Sequence, residues 1–221
     1  MTFQRARSEE QRETRRRVIL DTAAAMLDEM PLAEVSLNEL SRRVGLAKSN
    51  VLRYFESREA VLLELLDDFL RRWLVDLADE LAGGIDARAA PEARAVRLAE
   101  ILSSSLADRP VLCDLFGAQG GVLEQNVSVD TIKKHKRSSL GRLATMTGLV
   151  RRYVPELGDS AQTFCLMSLL SAGALSAYAP PPPSLLAAYA DEPALGALHM
   201  ELSEALRASF TSTLLGVLPR A

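Results

Sequence analysis

Seven of the polar side chains in residues 36–58, SLNELSRRVGLAKSNVLRYFESR, could do chemistry on a partner: Ser36, Lys48, Ser49, Asn50, Arg53, Tyr54 and Arg58. They are poor material for bond-making. The chain shows no phosphate-cradling glycine loop, nucleophile elbow, metal box or paired-carboxylate motif. They are good material for hydrogen bonding, because lysine, arginine, asparagine and hydroxyl side chains can meet base edges or phosphate oxygens.

The residues around them say how they are positioned. Ser36-Leu37-Asn38-Glu39 is a capping-box pattern that starts a short helix running to about Val44. Gly45 ends it, consistent with a left-handed cap. A second short helix runs from Lys48 to about Phe55, and Ser57 can cap the long helix that follows. Leu37, Leu40 and Val44 give the first helix an apolar face. Leu46 plugs the angle between the two, and Val51 and Phe55 give the second its inward stripe. Lys48, Ser49, Asn50, Arg53 and Tyr54 are left facing outward. Two short helices around a tight glycine turn, with a polar outer face, make a helix-turn-helix whose second helix fits a major groove. Lys48, Ser49 and Asn50 are the candidates for base readout. Arg12, Arg15, Arg16 and Arg17 precede or open the first helix. They are either flanking phosphate contacts or a solvated helix start.

The segment from about Thr14 to Leu66 resembles the DNA-binding domain of the tetracycline-repressor (TetR) family. The features run in the family's order: RRRVILDTAAAMLDEM, then SLNELSRRVGL, then KSNVLRYF, then ESREAVLLELL. The Tyr54-Phe55 pair leading into Ser-Arg-Glu is the most specific of them. The resemblance implies that Ser36 caps the second helix and touches a phosphate. It implies likewise that Tyr54 contacts the DNA backbone and that Arg58 reaches a phosphate from the start of the fourth helix, whose positive end adds to the attraction. The family usually has a second tyrosine two residues before Tyr54. Leu52 stands there, so grip shifts to Arg53 or Asn50.

Apolar spacing of three to four residues persists along the whole chain and strand signals are nearly absent, so the fold class is all-α. Expected helices cover 10–30, 91–107, 110–118, 130–153, 159–178 and 193–217 besides those above, with Pro180–Pro183 a stiff connector. The expected division is a helix-turn-helix domain at 10–58 and a helical effector-binding and dimerisation domain at 59–221. Dimerisation is expected because one head reads only a few base pairs and a second copy supplies a second half-site. The expected interface uses helix 159–178, with Phe164, Leu170 and Ala174, and the last helix, with Leu202, Leu206 and Phe210. Ala172 and Gly173 would permit close approach. The resemblance implies the same pairing of the last two long helices. It also implies a small-molecule pocket whose occupant moves the fourth helix and releases a palindromic operator. Phe69, Trp73, Leu106, Phe116, Met146 and Met167 are the candidate lining, although aromatic and Met positions at helical spacing more often form ordinary core. Any effector is expected to be hydrophobic.

Bulk properties set the outer bounds. The 221 residues are 48% hydrophobic and carry a net charge of −3. Residues 1–58 hold 11 Lys and Arg against 9 Asp and Glu, the remainder 15 against 20. A mildly basic front and an acidic back fit a DNA-reading head on a body that avoids DNA. No apolar run reaches about 18 residues, and the polar N-terminus has no signal-peptide core, so a cytoplasmic protein off the membrane is expected. Cys113 and Cys165 read as reduced core residues. His135 and His199 lack convincing metal-ligand spacing, so no metal or cofactor is expected. The basic run Lys133–Arg137 reads as a solvated helix face, with DNA or an anionic ligand as the alternative. Two other classes stay open: an all-helical enzyme, which has no motif behind it, and a DNA-binding dimer without effector control. Catalysis is not expected.

Overall fold

The computed structural model describes residues 2–219, with side chains from residue 9 onward. Ten α-helices carry the described chain: α1 (Thr2–Glu29), α2 (Leu37–Val44), α3 (Lys48–Val51), α4 (Arg58–Gly84), α5 (Pro91–Ala107), α6 (Pro110–Ala118), α7 (Val129–Tyr153), α8 (Ser160–Ser176), α9 (Pro183–Asp191) and α10 (Leu202–Val217). No strand occurs among the described residues, so the fold class is all-α.

The chain forms two compact units, residues 1–68 with 119–137, and residues 69–118 with 138–221. The divisions fall inside α4 and α7, not at residue 58. The reason lies in the start of α4, where Val61, Leu62, Leu65 and Leu66 are buried and Glu64 pairs with Arg16 of α1.

In the first unit, Ile19, Ala23, Met26 and Leu27 of α1 are buried with Val35, Leu40, Val51 and Phe55. Val18, next to Ile19 in sequence, is exposed. The turn between α2 and α3 follows from Gly45. Its φ of 70° is left-handed, a region that costs a residue with a Cβ about 1–2 kcal/mol. There Gly45 N–H donates to Arg42 C=O and Leu46 N–H to Ser41 C=O, which satisfies two carbonyls at the end of α2.

The second unit is a helical bundle in which α10 packs on α5 and α8, and α6 packs on α8. Phe164 of α8 and Phe210 of α10 meet edge to face, with ring centroids 6.0 Å apart. Gly117 and Gly173 let α6 and α8 touch backbone to backbone: a Cβ on Gly173 would stand 2.5 Å from Gly117 N. Trp73 is buried and its indole N–H donates to Ser105 Oγ at 3.0 Å. Cys113 and Cys165 are buried, free thiols. Burial pushes their pKa values up to about 12 and about 11 respectively.

Two expectations change at the C-terminal end. The run after Pro180–Pro183 is not all connector, because Pro183 opens α9. The last helix does not begin at residue 193. Residues 193–198 form a tight 3-10 turn, and α10 starts at Leu202.

Candidate nucleic-acid interface

The face offered to a ligand by the first unit is built on α2 and α3. Ser36 has an extended backbone and its Oγ accepts from Glu39 N–H at 3.2 Å, the cap that fixes where α2 begins. Glu39 in turn accepts from Arg42 and Arg43, and Arg43 also bonds Glu29 of α1 at 2.6 Å. Those hydrogen bonds, Arg42 first and then Arg43, hold the Glu39 carboxyl down at about 2. Arg43 thereby ties α2 to α1, while Arg42 stays within α2.

After Gly45 the chain enters α3, which is shorter than the eight residues its pattern predicts. Regular α-helix covers Lys48–Val51. Tighter bonds carry it to Phe55, with Arg53 N–H on Asn50 C=O and Tyr54 N–H on Val51 C=O. The inward and outward assignments follow the expected pattern. Val51 and Phe55 are buried, while Lys48, Ser49, Asn50 and Arg53 are exposed. Tyr54 is half-buried and Leu52 is exposed, so a bare aliphatic side chain stands among the polar ones.

Arg16 and Arg58 depart from the sequence reading. Arg16 is not a free cation on the helix start. It turns inward, donates to Tyr54 C=O at 2.8 Å and to the Glu64 carboxylate, and stacks 4.2 Å from the centre of the Phe55 ring. Arg12, Arg15 and Arg17 are the exposed arginines of that run. Arg58 donates to Leu32 C=O and lies beside Glu59 at 3.7 Å. It is half-buried, so any phosphate it met would compete with that carbonyl. Ser57 Oγ accepts from Ala60 N–H at 3.1 Å and caps α4 as expected.

Sequence reasoning missed Glu64 and Glu56, and it did not foresee that Lys134 of the basic run is paired. Lys134 of α7 reaches Glu64 at 3.3 Å, and Glu56 accepts from Ser128 N–H at 2.7 Å. Their partners lie 48 to 72 residues away along the chain, and no local pattern carries such a pairing. The basic run on α7 is also resolved in part. Lys134 and Lys136 are paired with Glu64 and Glu124, whereas Lys133 and Arg137 are exposed. His135 is buried, and burial lowers its pKa.

Candidate residues in the second unit divide between its interior and its surface. Trp73, Leu106 and Met146 are buried, Phe69 and Phe116 half-buried. Met167 is 45% exposed on α8 and so belongs to an outer face, not to a pocket wall. Among the expected interface residues, Phe164, Leu206 and Phe210 are buried inside the protomer. Phe164 and Phe210 meet each other within one chain, α10 packs on both α5 and α8, and Gly173 lies against Gly117 of α6. Leu170, at 55% exposure, and Ala174 face outward; Leu202 is half-buried.

The sequence profile described as bacterial regulatory proteins, tetR family, matches residues 19–65. A second, described as tetracyclin repressor-like, C-terminal domain, matches residues 67–221. The HTH-type transcriptional regulator EthR of Mycobacterium tuberculosis is 45% identical over 49 residues, 22% of this chain and 23% of that protein. EthR of Mycolicibacterium smegmatis is 38% identical over 58 residues, 26% of this chain and 27% of that protein. The match therefore spans only about a quarter of the curated relatives' length. Among solved structures, Thermus thermophilus FadR, a TetR-family repressor in complex with lauroyl-CoA, superposes with a TM-score of 0.56 at 17% identity. It covers 93% of this chain and 96% of FadR. FadR of Bacillus halodurans gives 0.53 at 16% identity, covering 91% and 98%. The two profiles account for nearly the whole sequence, and the short α2–α3 pair lies within the residues that the first of them matches. The chain belongs to the TetR family of DNA-binding transcriptional regulators.

Proposed function

We propose that this regulator is a homodimeric repressor that holds a palindromic operator and lets go when a small hydrophobic effector enters its second unit. The observation that carries the DNA-reading part is the outer face of α3. Lys48, Ser49, Asn50 and Arg53 are exposed together, while Val51 and Phe55 anchor the same turn from inside. Asn50 suits bidentate contact with adenine, and Lys48 or Arg53 suits guanine or a phosphate. Ser36 and Tyr54 contribute to phosphates, and Arg58 does so at the expense of its bond to Leu32.

Dimerisation is assigned to the exposed stripe Leu166, Met167, Leu170 and Ala174 of α8, together with Leu202 at the start of α10. Residues 160–190 contain no charged side chain, and a charge-free exposed face of this kind favours a self-complementary contact. The effector is assigned to the neighbourhood of Trp73, Leu106, Met146, Phe69 and Phe116. Ser105 and Arg109, bonded to each other at 3.0 Å, offer polar anchoring beside Trp73. Proteins of the same fold are described in complex with lauroyl-CoA and stearoyl-CoA. An acyl thioester is therefore the first effector class to try.

The test is selection from a random-duplex library by the purified protein, followed by titration of acyl-CoA of graded chain length into the retained complex. The proposal expects an enriched palindrome, a dimer in the complex and loss of binding with one class of acyl chain. No enrichment by a folded protein overturns the operator reading. Enrichment without release by any acyl chain overturns the choice of effector class.

A further inference from the structure

Glu56 sits where a DNA-binding protein has reason to avoid a carboxylate. It lies two residues after Tyr54 and two before Arg58, in the exposed link between α3 and α4, and a negative charge there repels phosphate. Its carboxylate instead meets the start of α7. Ser128 N–H donates to it at 2.7 Å. Ser128 itself caps α7, its Oγ accepting from Thr131 N–H at 3.2 Å. The Ser128 amide first, and then Thr131, hold the Glu56 carboxyl below the usual range, so it is ionised at neutral pH and favourably placed at a helix N-terminus.

A second connection closes the circuit. Lys134, less than two turns further along α7, reaches Glu64. Glu64 holds Arg16, and Arg16 holds Tyr54 C=O and the Phe55 ring. The end of the recognition segment is thus gripped from two sides, by Arg16 on Tyr54 and Phe55 and by α7 on Glu56. Every one of these residues belongs to the first compact unit, which takes in residues 119–137.

We propose that the first turns of α7 are a working part of the DNA-reading head, and that Glu56 is a positioning residue that fixes the exit of the recognition segment by seating on the α7 N-terminus. This rests on the reading of the α3 outer face as the DNA contact. It assigns to α7 a role in DNA affinity that requires no α7 side chain at the DNA.

The sign of the mutational effect separates this role from simple electrostatics. If Glu56 only repels phosphate, Glu56→Ala and Glu56→Lys tighten DNA binding. As a positioning residue, its loss weakens binding despite the gain in positive charge. Using the duplex retained from the library, we expect Glu56→Ala to lose about three- to tenfold in affinity, the size of a typical lost cap. We expect Glu56→Lys to lose at least as much. Glu56→Gln keeps an acceptor for the Ser128 amide and should recover most of the affinity. In the DNA-free protein, hydrogen exchange at the Tyr54 and Phe55 amides should quicken in Glu56→Ala, with the α2 amides unchanged. Equal or tighter binding by the Ala and Lys variants overturns the proposal. So does a Gln variant that loses as much as Ala, or an Ala variant with unchanged exchange at Tyr54 and Phe55. The exchange measurement needs no operator, so it tests the positioning role of Glu56 even if the library returns nothing and the operator reading falls.

Discussion

Individual side chains here do jobs that their residue type does not announce. Arg16 and Arg58 are both cations at the edge of the DNA-facing surface, yet each is already bonded to a backbone carbonyl, of Tyr54 and Leu32 respectively. Arg58→Ala should therefore lower thermal stability as well as DNA affinity. Its effect on the slope of log affinity against log salt should be one unit or less; an unchanged slope in salt titrations would remove Arg58 from the phosphate contacts. Phe164, which its helical stripe marks as an interface residue, is buried against Phe210. Phe164→Ala should cost about 3–5 kcal/mol in denaturant unfolding, whereas an interface role would leave the isolated protomer nearly as stable as before. The two cysteines give a further check. With thiols pushed up to about 12 and about 11 by burial, almost no thiolate exists at pH 8, and alkylation of the folded protein should be far slower than of the unfolded chain. Rapid labelling of either cysteine would contradict their burial. For Glu39 the sign follows from its lowered pKa. A carboxyl at about 2 when folded and near its ordinary value when unfolded stabilises the fold above the unfolded pKa. That contribution fades as pH falls toward 2. Glu39→Gln should flatten the acid limb of the stability profile, and an unaltered limb would show the pairing to be unimportant.

The elements were legible where a local rule fixes them. Ser36 and Ser57 cap, Gly45 turns, and the inward pair Val51 and Phe55 define α3; each of these is decided within a few residues of itself. Three features were not legible, for separate physical reasons. The last expected helix is interrupted because residues 193–198 adopt a tighter turn, although their composition suits an α-helix. The close contact of Gly117 with Gly173 depends on two helices meeting, and small residues alone do not say which partner they meet. Ion pairs such as Arg16–Glu64 join residues 48 positions apart, beyond the reach of any periodicity. Two glycines make these points testable. Gly45→Ala should destabilise by about 1–2 kcal/mol through its left-handed backbone, with no steric clash because nothing lies within 4 Å of the added carbon. Gly173→Ala should destabilise by clash, since the new Cβ would stand 2.5 Å from a backbone nitrogen that cannot swing aside. The expected cost is about 1–3 kcal/mol, and neutral substitution at Gly173 would contradict the α6–α8 packing.

At the level of the whole chain, the second unit, residues 69–118 with 138–221, holds more of the sequence than the first. No helix among the described residues is long and apolar enough to cross a membrane. On α8 the apolar side chains of Leu166, Met167 and Leu170 are exposed. Leu170→Asp should weaken self-association by about tenfold or more in analytical ultracentrifugation with helix content unchanged; a variant as dimeric as the parent would move the interface elsewhere. The central claim is that the outer face of α3 reads bases, and the most direct measurement is a specificity ratio. The affinity of the parent and of an Asn50→Ala, Arg53→Ala double variant is measured for the retained duplex and for a scrambled duplex at the same salt. The account predicts that the ratio of the two affinities collapses in the variant, while binding to the scrambled duplex falls only by the loss of one cation. A ratio equal to the parent's would show that these residues do not read sequence, and the recognition face would have to be sought elsewhere.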